Sequence, residues 1–257
     1  MFNFEKLIQA AQNYKILISS IKDMFLSAME DQRTKKWQAS VYKHLKSTLK
    51  CDSKYIEASY MFMGKMHLEV FPMGGIFLQS SHRLADVYPY ILALDTDEIS
   101  LKTLENALNG SLCPISTIKH DFTKQSLEFL TKFDTIAINF ALDRIPDDKL
   151  EDFIILLKNN LKNRGMIFGV TVIGAGIKHT SQANEYIKAQ NQTKVWHNEN
   201  RRQEVIEELF AKHFVEVATD IIGSCLVFRV APKIEKVDVM PFKPTLESVE
   251  GKFLYLN

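Results

Sequence analysis

Beyond Gly64 the chain alternates short apolar runs, bounded by turn residues, with amphipathic segments of about ten residues or more. The runs expected as strands are Met66–Val70, Tyr90–Leu94, Ser116–Lys119, Thr135–Phe140, Met166–Thr171, Phe214–Thr219 and Cys225–Val230. Helical patterns separate them at Ile76–Ala85, Ile99–Asn109, Lys124–Leu130, Asp147–Leu161 and Arg201–Lys212. Strands joined through helices pair mostly in parallel, and the helices then cover both faces of one sheet. The last two runs depart from this rule. Only Asp220–Ser224 lies between them, too short for a crossover helix, so an antiparallel hairpin is expected. The expected fold class is α/β: a seven-stranded, mostly parallel sheet with a terminal antiparallel hairpin, preceded by a helical section.

That helical section covers residues 1–62, where Phe4, Leu7, Ile8, Ala11, Leu17, Ile18, Ile21, Phe25 and Ala28 recur at helical spacing without proline or glycine. The α/β part spans 63–232, and the proline-containing tail, 233–257, is expected to run extended over the surface. With 257 residues, 46% of them hydrophobic, the chain can bury a sizeable core as one domain with an appended section. Lysine plus arginine (32) nearly balances aspartate plus glutamate (31), with no long block of one sign, so neither nucleic acid nor an anionic membrane surface is expected as a partner. This points to a small-molecule partner and leaves a homodimer or a protein partner open. Cys51, Cys113 and Cys225 are widely spaced with no CxxC pair, which argues against a disulfide framework or a zinc site and for a reducing compartment. The opening MFNFEKLIQAAQNYK lacks the basic and apolar regions of a signal peptide, so a cytoplasmic protein is expected.

In open α/β sheets, ligands bind outside the carboxyl ends of the strands, where the strand order reverses. Glu69, Asp95 and Asp121 fall at such ends. A carboxylate closing the second strand can accept both ribose hydroxyls of an adenosine, which singles out Asp95. The plainer alternative is that Asp-Thr-Asp caps the following helix, although Asp97 can cap while Asp95 binds.

The segments LEVFPMGG, LALDTDEISLKTLENAL, KHDF and FDTIAINFALDRIPDDKLEDFIILLKNNLKNRGMIFGV, in this order, together resemble the class I S-adenosylmethionine-dependent methyltransferases, in type closest to those acting on small molecules. The resemblance runs from about Lys65 to Pro232, and its most specific part is the last segment, with FD, the IPDD helix start and the LKxxG helix end at the family's spacing. It implies a Rossmann-like methyltransferase fold, methyl transfer to a small-molecule acceptor, and S-adenosylmethionine as cofactor. On that resemblance the cofactor-binding positions are Glu69, Phe71, Gly74, Gly75, Asp95, Thr96, Asp121, Phe122, Asn139 and Phe140, with the N-terminal helices as a lid.

The family's turn after strand one reads like LExGxGxG, and aligned on Glu69 its three glycines fall at Phe71, Met73 and Gly75. Two are replaced, and Pro72 removes a backbone donor. Either Phe71 and Met73 turn into the core and the cofactor still binds, or the aromatic ring fills the pocket and the chain is a non-catalytic module for a protein partner or another ligand. A nicotinamide-dependent oxidoreductase is disfavoured, because GxGxxG is missing after strand one and Gly174-Ala175-Gly176 follows strand five instead.

Methyl transfer needs proximity, alignment and, for a protonated acceptor, a base. His179 is the candidate base, against the blander reading of a surface or capping histidine. Trp196 is a candidate to stack on a flat acceptor, Tyr14 and Trp37 to line the same pocket, and Asp143 and Arg144 to contact the acceptor; the alternatives are ordinary packing for the aromatics and a structural ion pair for the last two. His67 and His82 have no partner at metal spacing and are read as structural, so no metal site is expected.

Overall fold

Seven strands, β1 (Met66–Val70), β2 (Tyr90–Asp95), β3 (Ile115–Lys119), β4 (Phe133–Ala137), β5 (Leu161–Val172), β6 (Glu216–Ile222) and β7 (Cys225–Ala231), form one sheet in the spatial order β3-β2-β1-β4-β5-β7-β6. The structure is a computed structural model and describes Lys36, residues 39–81, 83–122, Phe129 and residues 131–232. Tyr14, Trp37, His82, nearly all of the helix expected at Lys124–Leu130 and the tail 233–257 lie outside the described residues. The chain separates into two units, Met1–Lys43 and His44–Asn257. In the first, residues 39–43 are helical. The sheet belongs to the second.

Glu69 of β1 stands opposite Ala93 of β2 on one side and Ala137 of β4 on the other, both in parallel register. The strand order therefore reverses between β1 and β4, which opens a crevice at their carboxyl ends. β7 runs antiparallel to both β5 and β6, as the short linker requires. The hairpin turn is only Gly223-Ser224, tighter than the segment expected from sequence. Gly223 has φ +62°, and a Cβ there would lie 2.3 Å from the carbonyl oxygen of Leu49 and 2.5 Å from that of Lys50, so a backbone approach as well as the turn demands glycine.

The helices are α1 (Ser53–Ser59), α2 (Arg83–Val87), α3 (Glu98–Leu108), α4 (Ala141–Arg144), α5 (Asp147–Asn159), α6 (Ser181–Gln192) and α7 (Gln203–His213). Asp52, Asp97 and Thr180 cap α1, α3 and α6 through their side-chain oxygens. One expectation is revised. The stretch Ile76–Ala85 is no continuous helix: a 3-10 turn at Met73–Gly75, further turns and the short α2 take its place, because left-handed residues at Met73, Gly74 and Gly75 prevent an α-helix from starting there. The polar segment after strand five contains α6, whose inward stripe is marked by only Ala183 and Ile187, too few apolar residues to read as periodic.

One face of the sheet buries Leu68, Val70, Leu94, Ile136 and Ile138 with Phe153, Ile154 and Phe210. On β1 the side chains between them, His67 and Glu69, are equally buried, beside Tyr60 and Phe168. A central parallel strand covered on both faces produces this pattern.

Candidate active site at the β1–β4 crevice

The turn after β1 retains a backbone suited to glycine at positions that carry side chains. Phe71 (φ 54°), Met73 (φ 49°), Gly74 (φ 62°) and Gly75 (φ 75°) are all left-handed. For an L-residue this conformation costs roughly 1–2 kcal/mol, so Phe71 and Met73 are held there by their surroundings. Phe71 is 4% exposed within the core cluster, its N–H donates to the Leu94 carbonyl at 2.8 Å, and its ring centroid lies 6.0 Å from that of Phe122. Met73 is half-buried. A Cβ on Gly75 would meet Leu104 of α3 at 2.4 Å, so this glycine permits the turn and helix to pack closely.

Asp95 closes β2 and is 2% exposed. Its carboxylate accepts from the Asp97 N–H at 3.1 Å and bonds the Ser100 hydroxyl, whose oxygen accepts from the Gly74 N–H at 3.0 Å. Asp95 is thereby tied to the turn. Burial pushes its pKa up, opposed by these hydrogen bonds and by the positive charge of Arg144. Asp97 caps α3 through the Ile99 N–H at 2.9 Å, so capping and the strand-end carboxylate are separate residues. Thr96 is exposed, and Asp121 and Phe122 are half-buried beyond β3. The His120 N–H donates to the Asp95 carbonyl at 2.9 Å, which draws the β3 end toward the β2 end.

Glu69 is 1% exposed and accepts from the Tyr60 hydroxyl at 2.6 Å and bonds His67 Nε2 at 2.9 Å. Asn139, 1% exposed in the loop after β4, donates through Nδ2 to the Tyr60 hydroxyl at 2.8 Å. Phe140 follows with φ 56° and turns the chain into α4.

Asp143 and Arg144 point to different partners. Asp143 is fully buried and accepts from the Thr171 hydroxyl (2.7 Å), the Val172 N–H (3.0 Å) and Asn198 Nδ2 (2.7 Å). Burial nevertheless dominates and pushes its pKa up to about 6. The Arg144 guanidinium instead lies 4.8 Å above the Phe71 ring, with its buried Nε lacking a hydrogen-bond partner. Arg201, which sequence reasoning missed, donates to the carbonyls of Leu142 (2.6 Å) and Ile145 (2.9 Å) and to the Asp147 carboxylate. With Asn198 it latches the loop after β4 to the segment after β5. An arginine amid polar residues shows no sign in sequence of such burial.

His179 is half-buried with Nδ1 2.9 Å from the Ser224 hydroxyl, and burial lowers its pKa. Trp196 is 7% exposed and packs edge-on against Tyr186 of α6, centroids 5.2 Å apart. The structure thus gathers Phe71, Gly74, Gly75, Asp95, Phe122 and Arg144 around the crevice, whereas His179 sits by the β6–β7 turn.

No family model matches the chain. It is 28% identical to the N-methyltransferase vrtF of Penicillium aethiopicum over 121 residues, 45% of this chain and 50% of that protein, so it spans about half the length of this relative. It is 24% identical to an O-methyltransferase of Aspergillus niger over 176 residues, 65% of this chain and 90% of that one. Among solved structures, the DhpI complex with SAH matches with a TM-score of 0.53 and 15% identity, covering 80% of this chain and 95% of that one. The fold is that of the class I methyltransferases. The methyltransferase names of these sequence relatives bear out the resemblance read from the sequence.

Proposed function

We propose that this chain transfers a methyl group from S-adenosylmethionine to a small-molecule acceptor. The observation that carries the reading is the glycine-like backbone at positions 71, 73 and 75 beside the buried Asp95 carboxylate. The residues present fit the cofactor: a strand-end carboxylate for the ribose, Asp121 and Phe122 for the adenine, and a buried unpartnered acceptor, Asn139 Oδ1, at the amino-acid end. When bound, the cofactor supplies an electrophilic methyl on a sulfonium. The chain's own work is then to align donor and acceptor and exclude water, with Phe140 and α4 on the acceptor side; a base role for His179 and stacking by Trp196 require the acceptor to reach beyond the crevice to the β6–β7 turn and α6. The N-terminal helices, up to about residue 45, serve as a lid in this reading. The acceptor in this reading is a small molecule, and the protein works in the cytoplasm. Among the described residues no helix is long and apolar enough to cross a membrane.

The rival reading, a non-catalytic module, draws on Phe71 and Arg144 stacking in the crevice. Calorimetric titration with S-adenosylmethionine and S-adenosylhomocysteine separates the two. Saturable binding is expected, weakened in Asp95→Ala by roughly 1.5–3 kcal/mol, the range for hydrogen bonds to a charged group. Absence of binding in the folded wild-type protein rejects the enzyme.

A further inference from the structure

A continuous buried polar chain runs behind the crevice from the segment that precedes β1. The Gly64 N–H donates to Thr135 Oγ1 at 3.0 Å, Thr135 Oγ1 lies 2.9 Å from His67 Nδ1, His67 Nε2 lies 2.9 Å from Glu69 Oε2, the Tyr60 hydroxyl donates to Glu69 Oε1 at 2.6 Å, and Asn139 Nδ2 reaches the Tyr60 hydroxyl at 2.8 Å. Tyr60 and His67 are 0% exposed, and Glu69 and Asn139 are 1% exposed.

Proton counting assigns direction to the links at Tyr60 and Asn139. Thr135 Oγ1 accepts from the Gly64 N–H, and the two His67 ring nitrogens bridge Thr135 Oγ1 and Glu69 Oε2. Tyr60 has a single proton and gives it to the Glu69 carboxylate, which can only accept. Toward Asn139 the phenol oxygen can therefore only accept. The amide nitrogen of Asn139 must face Tyr60, and its Oδ1 is turned away, where it is buried with no partner. A buried acceptor without a donor destabilises the fold, and in a ligand crevice it is satisfied by a donor that the ligand brings.

We infer that Tyr60 is a positioning residue that locks the Asn139 amide so that Oδ1 accepts a hydrogen bond from a primary ammonium on the bound ligand. Resting on the cofactor reading above, the ammonium is that of the amino-acid end of S-adenosylmethionine. Glu69 orients the Tyr60 proton and reinforces the preference for a positive group, since a carboxylate in a low-dielectric surrounding acts over several ångströms. Replacing the phenol hydroxyl frees the amide to turn its nitrogen toward the ligand, and a donor then meets a donor.

Two probes isolate this bond. S-adenosylhomocysteine carries the ammonium, whereas 5'-methylthioadenosine has the same adenosine thioether without the amino-acid end. In calorimetric titrations of the full chain, Tyr60→Phe is expected to weaken S-adenosylhomocysteine about tenfold, the scale of a hydrogen bond to a charged group, and to leave methylthioadenosine within about twofold. Asn139→Ala, which keeps the Tyr60–Glu69 bond and removes the acceptor, is expected to give the same selective loss, and it carries the test if Tyr60→Phe fails to fold. A merely structural role weakens both ligands equally. Equal weakening, or no weakening of either, overturns the inference. If the wild-type protein binds neither probe, the cofactor reading itself fails, and this inference falls with it.

Discussion

Asp143 shows how far burial can outweigh a full set of donors. Thr171, Val172 and Asn198 all present hydrogens to it, Arg201 adds positive charge, and its pKa is still pushed up from 3.8 to about 6. The folded protein therefore keeps a proton on this group at pH values where the unfolded chain has released it. Stability from this source is fully present below about pH 4 and is lost as pH rises through about 6, a change of about 3 kcal/mol. Unfolding in urea across this window should show Asp143→Asn with a flatter profile than the wild type, since the amide does not titrate. Parallel profiles for the two proteins would mean that the carboxylate is ionised throughout.

At the scale of elements, the turn after β1 sets two energies against each other. Glycine at positions 71 and 73 would relieve roughly 1–2 kcal/mol of left-handed strain at each, but it would remove a Phe71 ring that is 4% exposed and a half-buried Met73 side chain. Burial of a phenylalanine contributes about 1.5–3 kcal/mol, and each added glycine costs up to about 1 kcal/mol in unfolded-state entropy. The double variant Phe71→Gly with Met73→Gly is expected to lose about 1–2 kcal/mol by thermal or urea unfolding, with cofactor affinity changed little because the backbone already has the required shape. A large gain in affinity for S-adenosylmethionine would instead show that the ring, with Arg144 stacked on it, occupies ligand space.

For the whole molecule, all residues named above for the cofactor lie in the unit His44–Asn257. A fragment beginning at His44 is accordingly expected to fold and to bind S-adenosylhomocysteine with affinity close to that of the full chain, while methyl transfer to the acceptor is lost with the proposed lid. Heat of binding and turnover, measured on the same preparation, check the two halves of this expectation. A fragment that turns over normally rejects the lid, and one that folds without binding places residues 1–43 in the cofactor site.

The succession of strands and helices and the final hairpin were legible in the sequence because local signals specify them. Apolar runs with intervening helical patterns demand parallel neighbours, and the short link before Cys225 leaves only a hairpin. Asp95 was legible for the same reason, since its position is set by where one strand stops. The short helix α2 and the helix α6 were not, because one depends on left-handed residues at non-glycine positions and the other on two inward apolar side chains. Tyr60, Asn198 and Arg201 left no mark in the sequence either. Tyr60 reaches Glu69 and Asn139 from nine and 79 residues away, and Arg201 reaches Leu142 from 59. The sequence by itself determined which elements form and which carboxylates end them, because those follow from neighbours along the chain. Only the tertiary structure decided which buried donor meets which acceptor, because hydrogen-bond partners are chosen by distance in space, and burial then makes every unpaired group costly.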